Sequence, residues 1–355
     1  MYEKERREPL HQAIAQAETD IICLQEVFEQ ADKDAMRDAL MAEFPHAVYF
    51  FTDVDDELDD ATDQNGQIPP ARTTVPCPED VESSPGVSIA DEMNDAIDCV
   101  RDNCSTIAGS DEGRTTSTDC AIDECRPGVI GLVSGNGQQQ RCYTCFATQL
   151  PQETFGRIRE TCPTVVNQLY SYRGQNDLMI ASRYPLKNGQ IWLVPGGWGN
   201  RGILSATAEL PNGSELNLFC NHLINIPSNP AAWPYTGQYG NGKTGQEAWE
   251  EEQFLETQKL IAFVEDVSRD RPAIVLGDMN SGYPYPADPS FEEIVRSINL
   301  LESVFTPAYT DDYVPVCTYC DANPLNDIEP ERSRWIDHIL LHNLPVEAVK
   351  ATHVR

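Results

Sequence analysis

The stretch from Ala273 to Ser281, Ala-Ile-Val-Leu-Gly-Asp-Met-Asn-Ser, constrains the fold more than any other part of the chain. It opens with four apolar residues, which predict a buried strand. Gly277 then ends the apolar run, and Asp278 and Asn280 follow two residues apart. Because alternate side chains of an extended backbone share a face, we expect this carboxylate and carboxamide to point together from the strand end. Such a pair could hold a metal-bound water or a phosphate oxygen, but Asp and Asn are also common turn residues.

Three other predicted strands carry polar residues at or near their ends. Glu26 follows the apolar run from Ile21 to Leu24, His222 ends a strand that begins at Glu215, and Asp337 lies among apolar neighbours. A buried carboxylate is costly unless it is paired or ligates a cation. We therefore interpret these residues as parts of a site, with an exposed strand end for Glu26 and a structural role for His222 as the alternatives.

The charge of the chain bears on which partners it can bind. Its 355 residues carry a net charge of −32, with no basic stripe. Binding to nucleic acid rests mainly on Lys and Arg neutralising phosphates, so a nucleic-acid partner is disfavoured, although a bound metal could offset the charge locally. The acidic surface could also be an adaptation for solubility. The sequence has no run of 18 apolar residues, so no transmembrane helix is predicted.

Twelve cysteines indicate disulfide bonds, and seven of them fall between residues 99 and 162. We interpret residues 53–165 as a Cys-rich, disulfide-stapled insertion with loop-like character, and we expect a secreted protein. The first twenty residues are charged and helical in pattern, unlike a signal peptide. Cys142-Tyr-Thr-Cys145 and Cys317-Thr-Tyr-Cys320 could together form a zinc site, but their wide separation favours disulfides.

In their order and flanks, the strand ends resemble those of the endonuclease/exonuclease/phosphatase superfamily. The resemblance covers residues 20–50 and 170–345 and leaves 53–165 outside. Five motifs carry it: Leu24-Gln-Glu-Val27 resembles the glutamate motif, Asp177 to Pro185 the Ser-Arg-x-Pro strand, Asn221-His-Leu223 the Thr-His-Leu motif, Gly277-Asp-Met-Asn280 the Gly-Asp-x-Asn motif, and Arg334 to Ile339 the Arg-Ile-Asp-Tyr-Ile motif.

This resemblance implies an α/β fold: a four-layer α/β sandwich of two mixed sheets packed face to face, with helices outside. It implies one such domain over residues 1–355, interrupted by the Cys-rich insertion. It also implies metal-dependent phosphodiester hydrolysis, with Glu26 as the ligand of Mg²⁺ and with Mn²⁺ or Ca²⁺ as alternatives. Asp278 would activate the attacking water, and Asn280 and His222 would hold the phosphate.

Two departures from the family pattern concern the ends of the chain. The family begins with a strand bearing a metal-site Asn, and it ends with Ser-Asp-His, whose His Asp337 would orient. Neither element is recognised in this sequence. We therefore expect a domain truncated at both ends, in which the catalytic set is incomplete.

Within the superfamily, Glu26-Val-Phe28 and Trp198 to Ile203 resemble the neutral sphingomyelinase-like branch. The resemblance thus implies a secreted, monomeric phospholipid phosphodiesterase. Trp233, Tyr235 and Tyr239, in a long loop, could supply a peripheral membrane contact or could simply pack the loop. Two other functions stay open: a DNase-like endonuclease of the same fold, and a non-catalytic extracellular binding protein on a degenerate hydrolase scaffold.

Overall fold

The computed structural model describes most of the chain. The described residues are 3–50, 75–115, 118–135, 137–151, 153–165, 176–194, 201–227, 235, 237, 239–286, 293–309, 317–323 and 333–348. Their strands are β1 (Ile21–Leu24), β2 (His46–Val48), β3 (Glu82–Ser84), β4 (Val87–Ser88), β5 (Met179–Ser182), β6 (Leu186–Val194), β7 (Arg201–Glu209), β8 (Glu215–His222), β9 (Ala273–Asp278), β10 (Thr306–Pro307) and β11 (Asp337–His342). Their α-helices are α1 (Glu3–Ala15), α2 (Gln30–Leu40), α3 (Ile89–Cys104), α4 (Thr118–Glu124), α5 (Arg126–Ser134), α6 (Gly137–Gln149), α7 (Phe155–Thr161), α8 (Gly245–Ser268) and α9 (Arg296–Glu302).

A six-stranded mixed sheet, in the order β10-β11-β9-β8-β7-β6, forms the larger of the two main sheets. Within it β8 and β9 are parallel, and the other neighbours are antiparallel. The helix α8 connects the parallel pair, because two parallel strands need a long crossover. The C-terminal ends of β8 and β9 therefore lie side by side.

A three-stranded antiparallel sheet, β1-β5-β2, packs on one face of the larger sheet. Leu178 and Ile180 contribute to an apolar cluster with Leu218, Cys220 and Ile274 of the larger sheet. A disulfide between Cys23 of β1 and Cys220 of β8 also joins the two sheets. The alternation of apolar side chains along each strand thus supplies an interior between the sheets.

Helices cover the two outer faces. The other side of β5, with Met179 and Ala181, packs against Met36 and Leu40 of α2. On the far side of the larger sheet, α8 and α9 cover β8 and β9, with Phe219 of β8 in that cluster. The arrangement is a four-layer α/β sandwich, which confirms the predicted fold class.

The Cys-rich part of the chain is helical, and the prediction of a loop-like region was wrong. Residues from Cys77 to Cys162 form their own apolar cluster, built by α3 to α7. The first of these helices starts with a capping box, in which Ser88 and Asp91 each accept a hydrogen bond from the other's backbone N–H. Four disulfides staple this cluster: Cys77–Cys142, Cys99–Cys125, Cys104–Cys120 and Cys145–Cys162.

The two Cys-x-x-Cys motifs do not form a zinc site. Cys142 and Cys145 bond to different partners, whereas Cys317 and Cys320 bond to each other. All twelve cysteines are paired. The disulfide interpretation is therefore confirmed.

Asp337, which the sequence places among apolar neighbours, is the first residue of β11. Arg334, three residues earlier, pairs with Tyr319 in an isolated bridge. Residues 346–348 form a single 3₁₀ turn, and residues 349–355 lie outside the described part. In the described part, no helix combines the length and the apolar character needed to cross a membrane.

The complete pairing predicts that the unreduced protein contains no free thiol. Thiol titration in denaturant, with no reductant added, should find close to zero of the twelve cysteines reactive, and all twelve after reduction. Ten or more reactive thiols before reduction would contradict both the disulfides and an oxidising compartment.

Candidate active site

Strand pairing brings three of the predicted side chains together. Because β8 and β9 are parallel and in register, His222 is the partner of Asp278, and the His222 Nε2 atom lies 3.7 Å from Asp278 Oδ2. On the other side of β9, the antiparallel β11 pairs Asp337 with Asp278. A histidine and two carboxylates from three strands therefore meet at one edge of the sheet.

The Gly-Asp-Met-Asn segment is a turn and also part of this cluster. Gly277 has φ +149°, and a Cβ atom there would lie 2.0 Å from the Asn221 carbonyl oxygen, so glycine is required. The backbone N–H of Asn280 donates to Asp278 Oδ1 over 2.7 Å, and the Asn280 side chain donates to the Leu223 carbonyl over 2.9 Å. The hydrogen bond from Asn280 occupies Asp278 Oδ1, and Asp278 Oδ2 faces His222.

Asp177, which the residue-level reasoning did not single out, orients His222. Its carboxylate is fully buried and accepts a hydrogen bond from His222 Nδ1. Burial by itself would raise the pKa of Asp177, but the charge of His222, its hydrogen bond and Arg201 outweigh burial and lower the pKa to about 2. With Nδ1 bound to Asp177, His222 presents Nε2 to Asp278.

One sequence signal could have identified Asp177. Asp177 is an acid immediately before the four apolar residues Leu178 to Ala181, just as Glu26 is an acid that follows an apolar run. Its motif was identified instead by the Ser-Arg-x-Pro segment at the other end of the strand. An acid that opens a core strand, like one that ends it, needs a partner.

Arg201, at the start of β7, adds positive charge to the same contact. Its Nη1 atom lies 2.8 Å from His222 Nδ1 and 3.6 Å from Asp177 Oδ2. Arg201 therefore compensates the buried negative charge of Asp177.

Glu26 approaches the cluster from the smaller sheet. It lies just beyond the end of β1 with φ +61°, its backbone N–H donates to Asp177 Oδ2 over 3.2 Å, and its side chain is exposed. Burial is the largest cause that raises the pKa of Asp337, and the negative charge of Glu26 raises it further. The carboxylate of Asp177 thus holds both the backbone of Glu26 and the ring of His222.

The carboxylates of this edge repel one another. Burial and, after it, the charge of the nearby Asp337 together raise the pKa of Asp278 to about 7, against the lowering effect of His222. Burial also raises the pKa of Asp337. Such mutual repulsion is relieved either by a shared proton or by a cation.

The donor set is compatible with Mg²⁺ but does not enclose it. Among the described residues, no three His, Cys, Asp or Glu side chains are placed to hold a metal ion by themselves. Protein Mg²⁺ sites commonly use one or two carboxylates, with water and substrate phosphate completing the shell. An exposed Glu26 beside two mutually repelling carboxylates fits that kind of open site.

Tyr235 and Tyr239 of the long loop pack against the rest of the protein. Tyr239 is 2% exposed, and the Tyr235 hydroxyl donates to Glu252 over 2.6 Å while its ring meets Trp249 edge to face. For these two tyrosines the loop-packing alternative is right. Trp233 lies outside the described residues.

Comparison with known proteins places the chain in a family. The model of the endonuclease/exonuclease/phosphatase family matches residues 3–355. The chain belongs to this family. No match is found among curated proteins.

Several solved structures resemble the chain in outline. They include sphingomyelinase C from Streptomyces griseocarneus, at 12% identity over 96% of this chain and 77% of that one, with a TM-score of 0.44. A beta toxin from Staphylococcus aureus matches at 11% identity over 96% and 80%, with a TM-score of 0.46. A family member from Beutenbergia cavernae matches at 17% identity over 47% and 40%, with a TM-score of 0.31. These similarities are too distant to identify a substrate.

The carboxylate repulsion predicts a pH-dependent stability in the absence of divalent cations. Asp278 keeps a proton in the folded chain that it has lost in the unfolded chain between about pH 4 and about pH 7, so stability should fall as pH rises through that window. Asp278→Asn cannot ionise. It should therefore be more stable than the wild type by roughly 1–3 kcal/mol at pH 8 in EDTA, and nearly equal at pH 4.

Urea unfolding at the two pH values measures this difference. Asp270→Asn, at an exposed residue between α8 and β9, is the matched control and should change stability at neither pH. If Asp278→Asn were less stable than the wild type at pH 8, the carboxylate repulsion would not be the dominant effect at this position.

Proposed function

We propose that the protein is a secreted, metal-dependent phosphodiester hydrolase acting on a phospholipid, in the manner of a sphingomyelinase. The observation that carries the proposal is the meeting of His222, Asp278 and Asp337 at one sheet edge, with Glu26 beside them. Family membership supports hydrolysis of a phosphoester as the reaction class, and the arrangement of these side chains supports the roles assigned below.

Glu26 would hold the Mg²⁺ ion, with Asp278 and Asp337 near enough to share its charge. When bound, the cation supplies charge neutralisation at the phosphoryl and leaving oxygens. Mn²⁺ or Ca²⁺ could replace it, since all three accept oxygen ligands. The exposure of the Glu26 side chain leaves room for water and substrate in the same shell.

Asp278 would act as the general base. A pKa of about 7 lets its carboxylate accept a proton from water near neutral pH, which is the condition for efficient proton transfer. Its Oδ1 atom is fixed by the Asn280 N–H, so Oδ2 is the oxygen available to the attacking water. As the water oxygen bonds to phosphorus, its proton passes to Asp278 and the bond to the leaving oxygen breaks.

His222 would donate a hydrogen bond to a phosphate oxygen. Its Nδ1 is held by Asp177 beside Arg201, so Nε2 is the nitrogen free to face the substrate. Asn280, 5% exposed, has one amide hydrogen committed to Leu223 and could offer the other to the phosphate. Both donors are in place before the substrate arrives, which favours the charged transition state.

A phospholipid is favoured over nucleic acid by charge. The chain carries a net charge of −32, and Arg201 and Arg334, two cations that lie at the site in the described part of the chain, already face carboxylates. The negative charge of the protein would repel a polyanion much more strongly than a single headgroup phosphate. The six disulfides favour an extracellular setting. We also propose that the protein is a monomer, that it contacts the membrane peripherally, and that residues 53–165 are an insertion within one domain.

Removing either proposed catalytic side chain should abolish most of the activity. Asp278→Ala and His222→Ala are each expected to lower phosphodiesterase kcat by about 10²-fold or more, because one removes the base and the other a phosphate donor. Asp270→Ala, the same change at an exposed residue between α8 and β9, should leave kcat unchanged. Near-wild-type kcat in either active-site variant would refute the assignment.

A substrate panel distinguishes the three functions. With Mg²⁺ present, we expect hydrolysis of sphingomyelin vesicles and of a chromogenic phosphodiester, weak action on plasmid DNA, and loss of activity in EDTA. Preferential cleavage of the plasmid would support the endonuclease alternative. Inactivity on all three substrates, with binding retained to one of them, would support the non-catalytic alternative.

A further inference from the structure

The short loop closed by the Cys317–Cys320 disulfide lies against the start of β11. We propose that this loop fixes Asp337 in place through the hydroxyl of Thr318, which makes Thr318 a positioning residue. The inference rests on the proposed function, because it concerns the same carboxylate pair. It gives the second Cys-x-x-Cys motif, which binds no zinc, a role at the active site.

The contact between loop and strand runs through one hydroxyl. Thr318 Oγ1 accepts hydrogen bonds from the backbone N–H groups of Ile336, over 3.1 Å, and Asp337, over 3.2 Å. Burial raises the pKa of Asp337, and the nearby Thr318 hydroxyl opposes that effect. A hydroxyl oxygen has two acceptor positions, and these two backbone bonds occupy both.

The backbone where Thr318 binds needs such a partner. Ile336 and Asp337 lie at the point where the chain enters β11, and the strand pairing with β9 begins only at Asp337. Buried backbone N–H groups without a partner are rare and costly. Thr318 therefore replaces the partners that a longer strand would have supplied.

The loop is in turn attached to the segment before β11. The N–H groups of Thr318 and Tyr319 both donate to the Arg334 carbonyl, over 2.8 and 3.1 Å, and the Arg334 N–H donates to the Tyr319 carbonyl over 2.7 Å. The Arg334 side chain donates to both oxygens of Glu293, over 2.7 and 3.0 Å, and Glu293 is 5% exposed. A buried bidentate ion pair thus holds the segment against which the loop rests.

The disulfide keeps this loop compact. Residues 317–320 belong to no helix or strand, and segments of that kind open locally at low cost. A bond between Cys317 and Cys320 limits the conformations of the two residues between them. It therefore maintains the position of Thr318 that the contact with Asp337 requires.

The position of Asp337 matters because it lies directly opposite Asp278. The register of β11 on β9 pairs Asp337 with Asp278, the proposed base, so a displacement of one residue alters the surroundings of the other. A displacement of about 1 Å in a catalytic group can cost about 10²-fold in rate. Loss of the Thr318 contact should thus act on the chemical step rather than on substrate binding.

Two variants of Thr318 test the hydroxyl. Thr318→Val, which keeps the shape and removes the hydroxyl, should lower kcat by about 10-fold or more with KM changed less than about twofold. Thr318→Ser restores the hydroxyl and should recover at least half of the wild-type kcat. Thr106→Val is the matched control: Thr106 Oγ1 also accepts a backbone N–H, from Arg114, but in the Cys-rich helical part, and its loss should leave kcat unchanged.

The disulfide is tested by Cys317→Ala/Cys320→Ala. If the disulfide acts through Thr318, this variant should lower kcat by an amount similar to Thr318→Val. Adding Thr318→Val to the cysteine changes should lower kcat little further, because both disrupt the same contact between Thr318 and Asp337. A Thr318→Val enzyme that is folded and retains kcat within twofold of the wild type would overturn the inference. So would a Thr318→Ser enzyme no better than Thr318→Val.

Asp337→Asn in the same assay separates this inference from the proposed function. If Asp337→Asn loses activity and Thr318→Val does not, the inference alone fails. If the wild type hydrolyses no phosphodiester, the proposed function fails, and hydrogen exchange still tests the contact. The Ile336 and Asp337 amides should exchange faster in Thr318→Val than in the wild type, and unchanged exchange would overturn the inference.

Discussion

The parallel pairing of β8 with β9 is the constraint on which the candidate site depends. It is the one parallel pair in the two main sheets as described, and it places His222 beside Asp278 at adjacent C-terminal strand ends. The connecting helix α8 also joins the two ends directly. The side-chain amide of Gln253 donates to the Ile224 carbonyl over 2.8 Å and to the Asn280 carbonyl over 3.0 Å. The crossover that parallel strands require thus contributes a bond between the two segments that carry the chemistry.

This pairing gathers charges that destabilise the folded chain. Asp278 and Asp337 face each other at a largely buried sheet edge, and burial together with their mutual repulsion raises the pKa of Asp278. Such strain at a reactive site must be offset elsewhere in the fold. The Cys23–Cys220 disulfide is well placed to do so, because Cys23 lies three residues before Glu26 and Cys220 two residues before His222. It fixes the two sheets to each other directly behind the residues that approach from each.

The sequence predicted the polar residues at the strand ends, but it did not predict the contacts that surround them in the fold. Glu26, His222, Asp278 and Asp337 were found because an isolated polar residue beside an apolar run is a local signal. Asp177 was missed because its importance comes from a contact with His222, forty-five residues away in sequence, that only the fold creates. The helices of the Cys-rich part were missed for a different reason. The first helix of this part, α3, carries a capping box at Ser88 and core residues at helical spacing, Ile89, Met93, Ile97 and Val100, but dense cysteines are also typical of loop-rich disulfide scaffolds.

Polar contacts at the base of the long Cys-rich segment hold its two ends together next to the candidate site. Phe50 lies two residues after β2, and Asn176 lies three residues before β5 and immediately before Asp177. The buried Lys33 donates to the carbonyls of both residues, over 3.0 and 2.7 Å, and the Asn176 side chain donates to the Phe50 carbonyl over 2.9 Å. Because the entropic cost of closing a loop grows only slowly with its length, a few bonds at its base suffice to hold the two ends together. The polar contacts of Lys33 therefore hold the backbone next to Asp177 in place whatever the length of the segment between, and the orientation of His222 is preserved.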